Sequence, residues 1–172
     1  MKKVFLFLLF LSVSFLRAQT PEKNLQDLGI ELPKPSTPLF SYVTFIRTGN
    51  LIYLSGQGPR KADGSFITGK LGRDLSIEQG VEAAKLSGIN LLANLQSAIG
   101  DLSKVKRIVK VLGMVNCAEN FYDQPKVING FSDLMFAVFG EKGRHARSAV
   151  GMSSLPMNIA VEIEMIVEVS DQ

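Results

Sequence analysis

Residues 159–169 read Ile-Ala-Val-Glu-Ile-Glu-Met-Ile-Val-Glu-Val. Ile159, Val161, Ile163, Met165, Val167 and Val169 share one parity; Ala160, Glu162, Glu164, Ile166 and Glu168 share the other. Side chains on a strand alternate between two faces, so this stretch predicts a strand with one apolar face and one face rich in acids. Working outward, the run Val105 to Val115 is β-branched on both parities, which predicts a central strand buried on both sides or nearly so. Between them lies a helix starting near Asp123, with Pro125 in its first turn and Ile128, Phe131, Met135, Val138 and Phe139 as its stripe; Gly140 ends it. Upstream, Ser76 and Gln79 form a capping-box pattern ahead of Ile77, Val81, Ala84, Leu91, Leu95 and Ala98, and Gly100 terminates that helix. Two strands, Tyr42 to Thr48 and Leu51 to Ser55, flank Gly49-Asn50, a pair suited to a two-residue hairpin. Residues 56–75 read as a Gly-rich loop, with a turn at Asp63-Gly64 and a short strand near Phe66–Thr68.

The element order predicts an α+β domain, a mixed β-sheet with both helices packed on one face. Two helices cover only one face, so the other calls for self-association. Residues 42–172 form this domain. Residues 19–41 are expected to be an extended N-terminal arm, broken by Pro21, Pro33, Pro35 and Pro38.

The first residues carry a different signal. Lys2 and Lys3 precede the apolar run Val4 to Leu16, interrupted only by Ser12 and Ser14, and Arg17-Ala18 follows. A basic segment, a short apolar segment and a small residue make a signal peptide over residues 1–18, with cleavage after Ala18. The run is short for a membrane span, which needs about 20 apolar residues, although an uncleaved anchor is the alternative. The expected location is periplasmic or secreted, with no stable membrane association after cleavage.

The whole chain of 172 residues has 19 Lys and Arg against 16 Asp and Glu. Removing the leader takes away Lys2, Lys3 and Arg17 and no acid, so the remainder is balanced and carries no basic signature for nucleic acid. An apolar fraction of 46% excludes a disordered chain, and a single Cys excludes an internal disulfide framework. One Cys and one His leave no usual zinc set, so no metal is expected. Cys117 reads as a small buried hydrophobe.

The usual catalytic constellations are absent. Gly56-Gln57-Gly58 lacks the third glycine and the helix of a dinucleotide loop, and Gly69-Lys70-Leu71-Gly72 lacks the spacing of a phosphate loop. The single His145 has no nucleophile elbow to serve, and it reads as a loop or surface residue whose Arg neighbours depress its charge. More informative is Arg144-His145-Ala146-Arg147-Ser148-Ala149-Val150, which leads through Leu155-Pro156 into the strand of Glu162 and Glu164. A guanidinium fork pairs bidentately with a carboxylate, so one Arg and one Glu suit a pocket that binds an acidic metabolite and activates water. The same residues equally suit a strand-turn-strand in which the Arg pairs with a neighbouring Glu.

Three segments in order resemble the RidA/YjgF family, also called the L-PSP endoribonuclease family. They are Gly49-Asn50-Leu51-Ile52-Tyr53-Leu54-Ser55-Gly56-Gln57, Arg147-Ser148-Ala149-Val150, and Leu155-Pro156 followed by Val161-Glu162-Ile163-Glu164. The resemblance runs from about Tyr42 to Val169 and is greatest to the longer branch, through Val127-Ile128-Asn129-Gly130 and Gly143-Arg144-His145-Ala146-Arg147-Ser148. It implies a chorismate-mutase-like fold, a homotrimer with ligand sites between protomers, and hydrolysis of reactive 2-imino acids to 2-keto acids and ammonia without metal or organic cofactor. By position it implies that Arg147 grips the substrate carboxylate and Glu162 attends the catalytic water. Tyr42, Ser55, Asn129 and the backbone N–H of Ala149 complete the substrate site; Ala149 stands where well-characterised deaminases carry Cys. Two other readings are a non-catalytic trimeric binder of small carboxylates in the periplasm and, disfavoured by the neutral charge, an endoribonuclease.

Overall fold

The computed structural model describes residues 20–35, 37–38 and 41–170. The leader read at residues 1–18 lies outside them. A five-stranded mixed sheet forms the body, built from β1 (Phe45–Thr48), β2 (Leu51–Gln57), β3 (Val105–Asn116), β4 (Ala146–Met152) and β5 (Val161–Val169) in the order β1-β2-β5-β3-β4. All neighbours are antiparallel except β3 and β4. Parallel neighbours need a crossover, which the helix α3 (Gln124–Phe139) supplies. The first two strands turn at Gly49, whose φ of 57° is one a Cβ would resist.

The strand that opened the reading is central. In β5, Val161, Ile163, Met165, Val167 and Val169 are buried, while Glu162, Glu164, Ile166 and Glu168 point to the opposite face. The longer strand β3 is displaced from the centre and is not buried on both sides. Val111 and Val115 are buried, but Lys106 and Arg107 are exposed and Leu112 and Met114 half-buried. Lys110, Leu112 and Met114 lie on the face that no helix of the described residues covers, while Ile108, ahead of a bulge, is buried in the core.

The other helices are α1 (Pro21–Asp27) and α2 (Ile77–Ile99). The capping box of α2 is complete: the Ser76 amide donates to Gln79 Oε1 at 2.8 Å, and the Gln79 amide donates to Ser76 Oγ at 3.3 Å. The buried face of α2 keeps Ala84, Leu91 and Leu95 of the predicted stripe and extends to residues outside it. Ile77 and Val81 are half-buried, and Gly80, Ala84, Ser87, Gly88, Leu91 and Leu95 face inward. The cause is close helix packing: a Cβ on Gly130 of α3 would lie 2.1 Å from the Val81 carbonyl oxygen, and one on Gly88 would lie 3.0 Å from Phe131 and Leu134. A pattern built on large apolar residues cannot register a contact made by missing side chains.

The arm read as extended contains a helix. Proline is tolerated in a first turn, where its missing N–H would find no partner anyway, and Thr20 caps α1 by accepting from the Lys23 amide at 3.2 Å. Asn24 donates to the Val138 carbonyl at 2.8 Å, Glu22 accepts from the Leu102 amide at 2.9 Å, and Leu25 is buried, so α1 docks on the body.

Both long helices cover one face of the sheet, α2 over β2 and β5 and α3 over β3 and β4. The other face displays Ile46, 58% exposed, and Tyr53, 45% exposed, with Leu112, Ile166 and Val150 around them. Among the described residues nothing covers it.

Candidate active site in two halves

Arg147 sits on β4, opposite Val111 of β3, with its side chain against α3. Its Nη1 donates to Asn129 Oδ1 at 3.0 Å and to Ser132 Oγ at 2.8 Å. Asn129 and Ser132 are three apart on the helix and therefore share a face. The Nη2 group only grazes the Pro125 carbonyl at 3.5 Å. The guanidinium is thus fixed to the protein through Nη1, while Nε has no partner among the described residues and Nη2 only the long Pro125 contact; Nε and Nη2 form the edge that pairs side-on with a carboxylate. Arg147 lines a cavity of about 540 Å³ with Ser132, Asp133, Phe136, Arg144 and His145.

His145 is half-buried in this wall, and its ring meets Phe131 edge-on with centroids 5.8 Å apart. Its Nδ1 lies 2.7 Å from the Gly143 carbonyl and its Nε2 lies 3.1 Å from Ser132 Oγ. Burial lowers its pKa from the ordinary 6.5, the Gly143 carbonyl opposes that, and the Arg147 charge adds to the lowering. His145 lies in the loop before β4, in line with the loop reading, but that reading missed its half-burial and its contacts with Phe131 and Ser132. The signal lay in nearness alone: His145 ends the loop that leads into β4, two residues before Arg147.

Glu162 belongs to the other half. It is half-buried on the uncovered face, and a bulge in β2 shapes its seat: Leu54 opposes Met165 and Gln57 opposes Ile163, so β2 carries one extra residue there. Gly56 sits in that bulge, and a Cβ on it would lie 2.2 Å from Glu162 Oε1. Glycine is what lets the carboxylate rest against the strand. Glu162 lines a cavity of about 570 Å³ with Tyr42, Gln57, Phe66, Met157 and Ile159. Burial raises its pKa above the ordinary 4.5, and the neighbouring Glu164 charge raises it further. A carboxylate shifted this way is a better proton acceptor at neutral pH.

Two asparagines hold the loops around this cavity. Asn90 of α2 donates to the Gly58 and Arg60 carbonyls, each at 3.1 Å. Asn116 of β3 donates to Asn158 Oδ1 at 3.0 Å and to the Ile159 carbonyl at 3.2 Å. Met157 and Asn158 have φ of 53° and 56°, a region uncommon for residues with a Cβ, so this turn is held by its neighbours.

The chain therefore brings Asn129 to Arg147 and Tyr42 to Glu162. It does not bring Arg147 to Glu162: their cavities share no residue, and neither side chain makes an ion pair among the described residues. Among the described residues Arg147 does not pair with a strand Glu. Tyr42, 53% exposed, also borders a third cavity of about 600 Å³ on the open face, with Ser55 and Glu164. Ser55 donates its hydroxyl to the Val43 carbonyl at 2.7 Å and so staples the strand edge. Ala149 is half-buried on β4 opposite Gly113, two residues from Arg147, with its methyl packed against the core.

Over residues 22–169 the chain matches the family described as "YjgF/chorismate_mutase-like, putative endoribonuclease". It is 43% identical over 149 residues to Protein TCP17 of Trypanosoma cruzi, covering 86% of this chain and 93% of that protein. It is 32% identical to a 2-iminobutanoate/2-iminopropanoate deaminase of Dermatophagoides farinae, covering 80% of this chain and 93% of the other. Among solved structures, Atu1372 of Agrobacterium tumefaciens, a protein of unknown function, superimposes with a TM-score of 0.80 at 45% identity, covering 87% of this chain and 92% of that one.

Proposed function

Because the chain belongs to the YjgF/RidA-like (L-PSP) family, we propose that it hydrolyses 2-imino acids to 2-keto acids and ammonia, at sites that form when chains associate as a homotrimer. The observation that carries this reading is the Arg147 guanidinium, anchored through Nη1 by Asn129 and Ser132 in the wall of a cavity, with Nε unpartnered among the described residues and Nη2 on only a long Pro125 contact. Such a fork holds a carboxylate bidentately and so fixes the position of the carbon next to it. The deaminase of Dermatophagoides farinae is a relative with that named activity.

In the proposed reaction the imino acid carboxylate sits on Nε and Nη2 of Arg147. Glu162 of a neighbouring subunit, ionised, accepts a proton as water oxygen bonds to the imine carbon. Glu162 returns that proton to the nitrogen, which has taken the carbon–nitrogen π pair, giving a carbinolamine. It then moves the carbinolamine hydroxyl proton to the amino group as the C=O bond forms, and the carbon–nitrogen bond breaks with its pair on nitrogen, so ammonia departs from the 2-keto acid. The raised pKa of Glu162 suits both halves of that transfer. The separation of Arg147 from Glu162 within one chain, and the uncovered face carrying Glu162, support a site shared between subunits. The basic and apolar leader supports an exported location for the protein.

The test is turnover. An amino-acid oxidase generates 2-iminopropionate or 2-iminobutyrate, and semicarbazide trapping reports how fast the imine disappears. Loss faster than the protein-free control, abolished in Arg147→Ala, is the expected result. Tight 2-keto acid binding with no acceleration would replace hydrolysis with the carboxylate-binder reading.

A further inference from the structure

The hydrogen bonds around His145 fix its protonation pattern. A carbonyl only accepts, so at 2.7 Å from Gly143 the Nδ1 atom carries the proton. In the neutral ring Nε2 is then an acceptor, and the hydroxyl 3.1 Å away on Ser132 must donate to it. That orientation turns the Ser132 lone pairs toward Arg147, whose Nη1 donates to them at 2.8 Å. The sequence Gly143 carbonyl, His145, Ser132, Arg147 is one directed chain in which each group has a single role.

We propose that Ser132 and His145 are positioning residues of the carboxylate site: the neutral imidazole orients the Ser132 hydroxyl, the hydroxyl holds Nη1 of Arg147, and protonation of the imidazole tightens carboxylate binding. This rests on the reading of Arg147 as the carboxylate grip. On protonation Nε2 becomes a donor. Ser132 Oγ then accepts from both cations with its two lone pairs, and its hydrogen is freed. Arg147 keeps its seat, and the cavity gains one positive charge.

The surrounding charges do not cancel that gain. Asp133 from α3 borders the cavity, and Arg144 preceding β4 is paired with Glu141 at 3.0 Å and lies over the Phe136 ring. Lys142 from the turn after α3 donates to the Val105 carbonyl at 3.0 Å. Lys110 from β3 lies beyond Ala146 and donates to Ser148 Oγ at 3.1 Å. Burial lowers the His145 pKa from the ordinary 6.5, which favours the neutral ring near neutral pH. Because binding and protonation are linked, a bound carboxylate must raise the His145 pKa by as much as acidification tightens the ligand.

His145 is the only histidine in the sequence, so its imidazole NMR signals need no assignment. The experiment follows them from pH 4.5 to 8.5 in the purified protein, with and without saturating pyruvate as probe, alongside calorimetric Kd values at each pH. Pyruvate is expected to raise the midpoint, and its Kd to tighten about threefold on acidification, the size of one added charge largely screened in a wet cavity. The Kd of His145→Phe, which keeps the packing on Phe131, becomes independent of pH. Ser132→Ala weakens pyruvate, and raises KM for an imino acid, about tenfold with kcat little changed, and Ser132→Thr restores both. A purely structural role would move thermal stability and leave the pH profile alone. Pyruvate that saturates while the midpoint stays fixed overturns the proposal. If pyruvate does not bind at all, the carboxylate reading of Arg147 fails by itself. The relay is then judged in ligand-free Arg147→Gln, where a raised His145 midpoint supports the contact and an unmoved one overturns it.

Discussion

Arg147→Lys separates the geometry of the fork from its charge. The arginine meets two demands at once: Nη1 is held by Asn129 at 3.0 Å and Ser132 at 2.8 Å, and Nε and Nη2, with no partner among the described residues nearer than the Pro125 carbonyl at 3.5 Å, are left to take a ligand. An ammonium has three donors on one atom. If it bonds Asn129 and Ser132, at most one N–H remains for a ligand, and the bidentate pair is lost. One charge-assisted hydrogen bond is worth about 1.5–3 kcal/mol, which corresponds to a loss in kcat/KM of roughly 10- to 150-fold. The loss should fall mainly on KM and on the Kd of pyruvate, since the carboxylate is gripped in the ground state as well. Arg147 is half-buried on an edge strand, so the fold should survive with Tm within about 2 °C. The assay is imino acid hydrolysis with semicarbazide trapping, paired with calorimetry on pyruvate. A folded Arg147→Lys protein within threefold of wild type in both would refute the fork.

Three further outcomes are expected. Gly56→Ala puts a Cβ 2.2 Å from Glu162 Oε1; the flexible carboxylate moves away, so kcat falls while circular dichroism and Tm change little. Glu162→Gln should raise Tm at neutral pH. The folded pKa of Glu162 lies above its unfolded value, so the native state binds the extra proton, and wild-type stability from this group is present in acid and lost as pH rises through that pKa. The advantage of the Gln variant therefore shrinks as the pH is brought down to 4, and an advantage independent of pH would contradict the burial of this carboxyl. Gly130→Ala places a Cβ 2.1 Å from the Val81 carbonyl oxygen, a backbone atom that cannot swing aside; denaturant unfolding should show a loss of about 1–3 kcal/mol or more.

The parts of the fold that were legible in the sequence rest on strong periodicity or local chemistry. Alternation in 159–169 marked β5 and its buried parity, Ser76 with Gln79 marked the start of α2, and Gly49 marked the hairpin. What escaped was decided by tertiary contact. The α1 helix is short and proline-led, and it is held by docking through Asn24, Glu22 and Leu25. The displacement of β3 from the sheet centre follows from strand order, which periodicity does not encode.

The candidate site divides the same way. Arg147 and Asn129 were singled out by motif and stand in contact. The contribution of Ser132 and His145 depends on α3 lying over β4, which places a helix face and a strand face together. The Gly56 seat for Glu162 depends on a bulge whose extra residue shows only in the register with β5. Ser55, singled out for the site, spends its hydroxyl on Val43.

The central claim is that Arg147 and Glu162, held in separate cavities of one chain, act together across a subunit boundary. Mixing two inactive variants tests it most directly. Arg147→Ala and Glu162→Gln chains are unfolded together, refolded at equal concentration, and checked for mixed oligomers by native mass spectrometry before the imine assay. If each site draws Arg147 from one chain and Glu162 from the next, random mixing in a cyclic oligomer leaves about a quarter of the sites intact, and about a quarter of wild-type activity returns. Mixed oligomers that remain as inactive as either parent would contradict the claim.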